Sequence, residues 1–130
     1  MDDAVLIVDR DLGQAFALGR ALDQSGFHTF PARAIPEAEV LLDRLHLSID
    51  VLILDCALPG ADSFIKVLHQ SRRPIRVICL SAARRHVCVT GIDAVCCKPL
   101  RLTEGSKARW TEEIREILLH PADLSFRASR

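Results

Sequence analysis

Tyrosine is absent from the 130-residue chain, tryptophan and methionine occur once each, and aromatic residues amount to 5%. So small an aromatic complement leaves little to stack nucleobases or a flavin ring. Neither sign of charge is in excess, with 17 Lys and Arg against 17 Asp and Glu. No global field therefore draws the chain to nucleic acid or an anionic membrane. The apolar run Ala4–Val8 is too short for a signal-peptide core or a bilayer span, so a soluble, intracellular, cytoplasmic protein is expected. Cys56, Cys79, Cys88, Cys96 and Cys97 show no C-x-x-C or Cys/His ligand spacing. Most fall in apolar runs and read as buried free thiols of a reducing compartment; Cys56 differs in adjoining Asp55, without further support for a redox role. His28, His46, His69, His86 and His120 are scattered without i, i+4 pairing, which excludes a paired-histidine metal site. No Gly-rich phosphate cradle follows the first apolar run, which disfavours a flavin-carrying redox protein.

What remains is a one-domain length with 49% hydrophobic residues, enough for an ordinary buried core. Short apolar runs alternate with helical patterns: Ala4–Val8, helix 11–24, Phe27–Phe30, helix 35–47, Val51–Leu54, helix 62–70, Ile75–Leu80, a short segment 83–90, Ala94–Cys97, and helix 103–119. Leu12, Ala15, Phe16, Gly19 and Leu22 form one helical stripe. Ile35, Ala38, Leu41, Leu42 and Leu45 form a second, and Trp110, Ile114, Ile117 and Leu118 a third. Such alternation predicts an α/β architecture, a parallel sheet with right-handed crossovers and helices on both faces. The "FHTF" run alternates apolar and polar residues and is placed at an edge, whereas the other four runs read as more buried. Arg72, Arg73, Arg76, Arg84 and Arg85 lack interleaved aromatics and suit a solvated face or a rim meeting an acidic partner.

In doubly wound sheets ligands bind beyond the carboxyl ends of the strands. The first run ends in Asp9, Arg10 and Asp11, the third in Asp55, the fourth in Ser81 and the fifth in Lys98. Each has a local explanation, Asp11 and Ser81 as helix caps and Lys98 as a solvated side chain. Together they place carboxylates, a hydroxyl and an ammonium at one end of one sheet.

The segments "VLIVDRD", "DVLILDCALPGAD", "VICLSA" and "VCCKPL" resemble the receiver domain of bacterial two-component response regulators over residues 4 to 119. The resemblance implies a flavodoxin-like (βα)5 three-layer sandwich with sheet order 2-1-3-4-5, a receiver domain over 1–120 and a polar tail over 121–130. It implies that Asp55 accepts a phosphoryl group from a sensor histidine kinase or phosphotransfer protein, with Ser81 and Lys98 contacting the phosphoryl oxygens. Asp9, Asp55 and the Ala57 carbonyl would hold Mg²⁺, in an acidic pocket that also includes Arg10 and Asp11. The chain would then be a signalling module rather than an enzyme, acting on a downstream protein target and not directly on nucleic acid or membrane. A homodimer through the last two elements is compatible with the family, although no apolar surface in the sequence points to one. The alternative is a degenerate receiver serving as a phosphorylation-independent interaction module.

The pattern is broken at position 10, where receivers carry a second metal-binding acid. A +1 charge in place of −1 at about 6 Å from a divalent ion changes the Coulomb energy by on the order of 10 kcal/mol at an effective dielectric of about 20. Either Arg10 turns outward and Asp11 or water replaces the missing ligand, or its guanidinium fills the pocket against Asp9 or Asp55. Ser81 and Lys98 are also closer in sequence than the family's usual spacing, which predicts a shortened fourth helix. Val95 stands where receivers place a switch aromatic.

Overall fold

The computed structural model describes residues 4–44, 46, 48–70, 75–81, 91–98 and 103–119. Five strands and four helices follow one another as β1 (Ala4–Val8), α1 (Leu12–Gln24), β2 (His28–Ala32), α2 (Ile35–Arg44), β3 (Val51–Asp55), α3 (Ala61–His69), β4 (Arg76–Ser81), β5 (Ala94–Cys97) and α4 (Glu104–Leu119). All strand pairings are parallel, in the order β2-β1-β3-β4-β5, the doubly wound arrangement of flavodoxin-like folds. The expected short segment 83–90, the side chain of Cys97, residues Leu45, Arg72, Arg73, Arg84, Arg85, His86, Cys88 and His120, and the tail 121–130 lie outside the described residues.

The central strands are apolar on both faces because both faces are covered. Val5, Ile7, Val51, Ile53, Ile78 and Leu80 pack with Ala15, Leu18 and Leu22 of α1 and with Trp110, Ile114, Ile117 and Leu118 of α4. Their alternate neighbours, Leu6, Val8, Leu52, Leu54 and Val77, pack with Ile35 and Ala38 of α2 and Ala61, Phe64 and Ile65 of α3. The third helical stripe is thus buried as expected, and Trp110 serves the core. On α1 the stripe is rotated: Leu18 is buried, whereas Phe16 is 53% exposed. Gly19 sits at a close approach to the sheet, where Thr29 Oγ1 of β2 lies 3.1 Å from the site of a Cβ. A helix held this close on one side turns position 16 outward.

β2 is an edge strand, as its alternation predicts, and it carries Pro31, which an edge tolerates. β5 forms the other edge, so one run read as more buried is flanked on one side only. Carboxylates at the sheet's amino end tie strands together: Asp50 Oδ2 accepts from the Ala4 amide at 3.0 Å, and Asp93 Oδ2 from the Val77 amide at 2.8 Å. Among the described residues, no helix is long and apolar enough to cross a membrane.

Cys96 is buried and free, as expected, and the sulfurs of Cys56 and Cys79 are brought into contact, with Cα atoms 5.8 Å apart. The sequence separation of 23 carries no pairing signal; the register of β3 on β4, with Leu54 opposite Cys79, brings the two together.

Candidate functional site

β1, β3 and β5 are parallel, so their carboxyl ends open at one end of the sheet. Asp9 lies just past β1 and is 1% exposed; its amide donates to the Ala32 carbonyl at 2.9 Å, continuing the ladder to β2. Asp55 closes β3 and is partly buried. Lys98 follows β5, and its amide donates to the Ser81 carbonyl at 2.7 Å. That bond carries the β4–β5 pairing one step past the Ser81–Cys97 register pair and fixes where the lysine side chain starts.

From there the Lys98 ammonium reaches both carboxylates. Nζ donates to Asp55 Oδ2 at 2.7 Å and to Asp9 Oδ1 at 2.9 Å, with the lysine side chain only 10% exposed. Side chains 43 and 89 residues apart in the chain thus share one cation. Burial pulls the Lys98 pKa down, but hydrogen bonds to Asp55 and Asp9, reinforced by their charges, more than offset this and raise it above 10.5. Loop amides add to this: Asp55 Oδ1 accepts from Ala57 N at 2.9 Å, and Asp9 Oδ1 accepts a second bond, from Asp11 N at 3.0 Å. Asp9 Oδ2 is buried without a hydrogen-bond partner. An orphaned carboxylate oxygen in a site of this polarity suits a cation or an ordered water.

The other expected residues divide. Ser81 ends β4 beside the cluster and joins it through its carbonyl, as just described. Arg10 is exposed, so of its two arrangements the outward one is realised, and Lys98 is the cation between the carboxylates. Asp11 does not replace the missing acid; it is exposed and caps α1, its side chain accepting from Gln14 N at 3.2 Å. Val95 is 38% exposed on the outer edge of β5. The fourth-helix expectation falls outside the described residues.

Among the described residues, no group of three His, Cys, Asp or Glu is disposed to hold a metal ion. Two carboxylates and a backbone carbonyl still fit Mg²⁺, which keeps several of its waters and needs few protein ligands. The unpartnered Asp9 Oδ2 is the observation that favours such an ion.

No family model and no curated protein matches the chain. Its structure is similar to that of a response regulator from Thermotoga maritima, with a TM-score of 0.70 and 22% identity over 91% of this chain and 98% of that one. It is similar to a response regulator protein from Burkholderia pseudomallei, solved with a phosphorylated aspartic acid, calcium ion and citrate, with a TM-score of 0.65 and 21% identity over 88% of this chain and 72% of that one. A CheY-like receiver domain from Methanospirillum hungatei has a TM-score of 0.67 and 19% identity over 91% of this chain and 94% of that one. The chain has the fold of response-regulator receiver domains.

Proposed function

We propose that this chain is a phosphorylation-dependent signalling module in which Asp55 accepts a phosphoryl group from the phosphohistidine of a sensor histidine kinase or phosphotransfer protein. The observation that carries this reading is the Lys98 ammonium shared between Asp9 and Asp55 at the carboxyl ends of three strands. An Asp55 oxygen attacks phosphorus, the P–N bond of the donor breaks, and the imidazole leaves with the electron pair. Lys98 would neutralise charge on a phosphoryl oxygen attached to Asp55, and Ser81 would donate its hydroxyl to another. Asp9, Asp55 and the Ala57 carbonyl would hold Mg²⁺, which when bound supplies positive charge at the transferring group. The product is a modified protein addressed to a downstream protein target, so the chain acts once per signal and does not turn over a metabolite.

A second reading, a degenerate receiver whose conformation is set by partner binding alone, is favoured by Arg10 in place of the second acid. Incubation with acetyl phosphate and Mg²⁺ separates the two. The first reading expects the intact mass to gain one phosphoryl group, and expects the gain to vanish in Asp55→Asn. No gain in the wild type, or an equal gain in the variant, selects the second.

A further inference from the structure

We propose that Cys56 and Cys79 form a reversible, oxidant-made disulfide that sets the rigidity of the loop carrying Asp55 and Ala57, giving this domain a redox input in addition to the phosphoryl input. The Cα atoms of the pair are 5.8 Å apart, within the range that a disulfide requires. Cys79 alternates along β4 with Ile78 and Leu80 and so points to the α2 and α3 side of the sheet. Cys56 is the first residue after β3, and without the disulfide its described link to β4 is the hydrogen bond that its amide donates to the Leu80 carbonyl at 3.2 Å.

The two sulfurs differ in access. Cys79 is completely buried, while Cys56 is partly exposed. That asymmetry suits an attacking and a resolving thiol. With hydrogen peroxide as oxidant, the Cys56 sulfur takes one peroxide oxygen as the O–O bond breaks, giving a sulfenic acid and one water. The Cys79 sulfur then displaces the hydroxyl from Cys56, the S–S bond forms, and a second water leaves. A dithiol reductant opens the crosslink by exchange: its thiolate attacks the accessible Cys56 sulfur, Cys79 leaves as a thiolate, and the reductant's second thiol releases Cys56 as the reductant becomes a cyclic disulfide.

The consequence follows from what the crosslink joins. The turn after β3 is held by backbone bonds, Leu58 N to Asp55 O at 3.1 Å and Ala61 N to Leu58 O at 3.2 Å, by Ala57 N on Asp55 Oδ1 at 2.9 Å, and by the buried Leu58 side chain. Oxidation fastens its first residue covalently to β4, the strand that ends at Ser81. Reduction removes that covalent tie, leaves the Cys56 amide bonded to the Leu80 carbonyl, and leaves the sheet intact.

The test uses the full chain, oxidised with hydrogen peroxide or reduced with dithiothreitol, and reads peptide mass maps, amide exchange and melting temperature. Expected are a Cys56–Cys79 linked peptide that dithiothreitol opens without denaturant, exchange at the Cys56, Leu58 and Ala61 amides slowed at least about tenfold on oxidation, and a Tm higher by roughly 5–15 °C. Cys56→Ser, at the more exposed position, keeps the fold and loses every redox difference. No linked peptide, linkage through Cys96 instead, a link that resists the dithiol in the native chain, or equal exchange in the two states would overturn the inference. These readouts are independent of phosphoryl transfer at Asp55.

Discussion

Lys98 carries the charge balance of the site, and its protonation has a defined consequence for stability. Because its folded pKa is raised above 10.5, the stabilisation it supplies is complete below that value and is lost as pH rises through the higher folded value. Urea unfolding of wild type and Lys98→Met between about pH 8 and about pH 12 should show a constant stability difference that shrinks only above the unfolded lysine's pKa. At neutral pH the variant leaves two carboxylates facing each other without their cation, at a cost of about 3–5 kcal/mol. A difference that vanishes already below pH 10.5 would contradict the bidentate pairing. Arg10 makes the opposite kind of residue: exposed, it holds no carboxylate in place, yet it denies the site an acid. Arg10→Asp should tighten Mg²⁺ binding by tenfold or more, as read by isothermal titration, and unchanged affinity would show that position 10 does not face the ion. At this scale Asp9, Asp55 and Lys98 were legible because strand ends are marked by apolar runs that stop at polar residues. Asp11 was legible as the cap of α1, whereas the choice between the two Arg10 arrangements was not, since it depends on a rotamer that a one-dimensional pattern leaves free.

Among the elements, α1 shows why a periodic pattern can select the wrong face. Phe16 and Leu18 are both apolar, and a stripe through Leu12, Ala15 and Phe16 matches helical spacing as well as the observed Ala15, Leu18, Gly19 and Leu22. The close approach of Gly19 to Thr29 decides between them, and that contact is tertiary. Leu18→Ala should therefore cost about 3 kcal/mol in denaturant unfolding, while Phe16→Ala costs less than about 1 kcal/mol. Similar losses would mean that Phe16 packs inward. The junction of α3 with β5 depends on Gly91, whose φ of +81° and whose neighbour His69, 2.9 Å from a built Cβ, leave no room for a side chain. His69 Nε2 lies 2.7 Å from the Gly91 carbonyl, so Gly91→Ala strains the backbone and displaces that ring together. A loss of about 1–3 kcal/mol is expected from urea unfolding, and a neutral result would show that the junction relaxes freely. The ends of helix α2 and strand β2 differed from the sequence expectation by one to three residues, the ordinary consequence of ends set by packing.

For the whole molecule, the sheet order was legible because alternating strands and helices admit few right-handed, short-connected topologies, and the family resemblance chose among them. The contact of Cys56 with Cys79 was not legible, because it depends on register between β3 and β4, which local composition does not specify. The same topology explains why the site exists: parallel strands deliver Asp9, Asp55 and Lys98 to one end from three distant parts of the chain. The most direct test of that claim is to locate the phosphoryl group chemically. After incubation with acetyl phosphate, borohydride reduces an acyl phosphate to an alcohol, and peptide sequencing then finds the modified position. The account predicts homoserine at position 55, absent in Asp55→Asn and strongly diminished in Lys98→Met; reduction at another carboxylate, or undiminished labelling without Lys98, would contradict it.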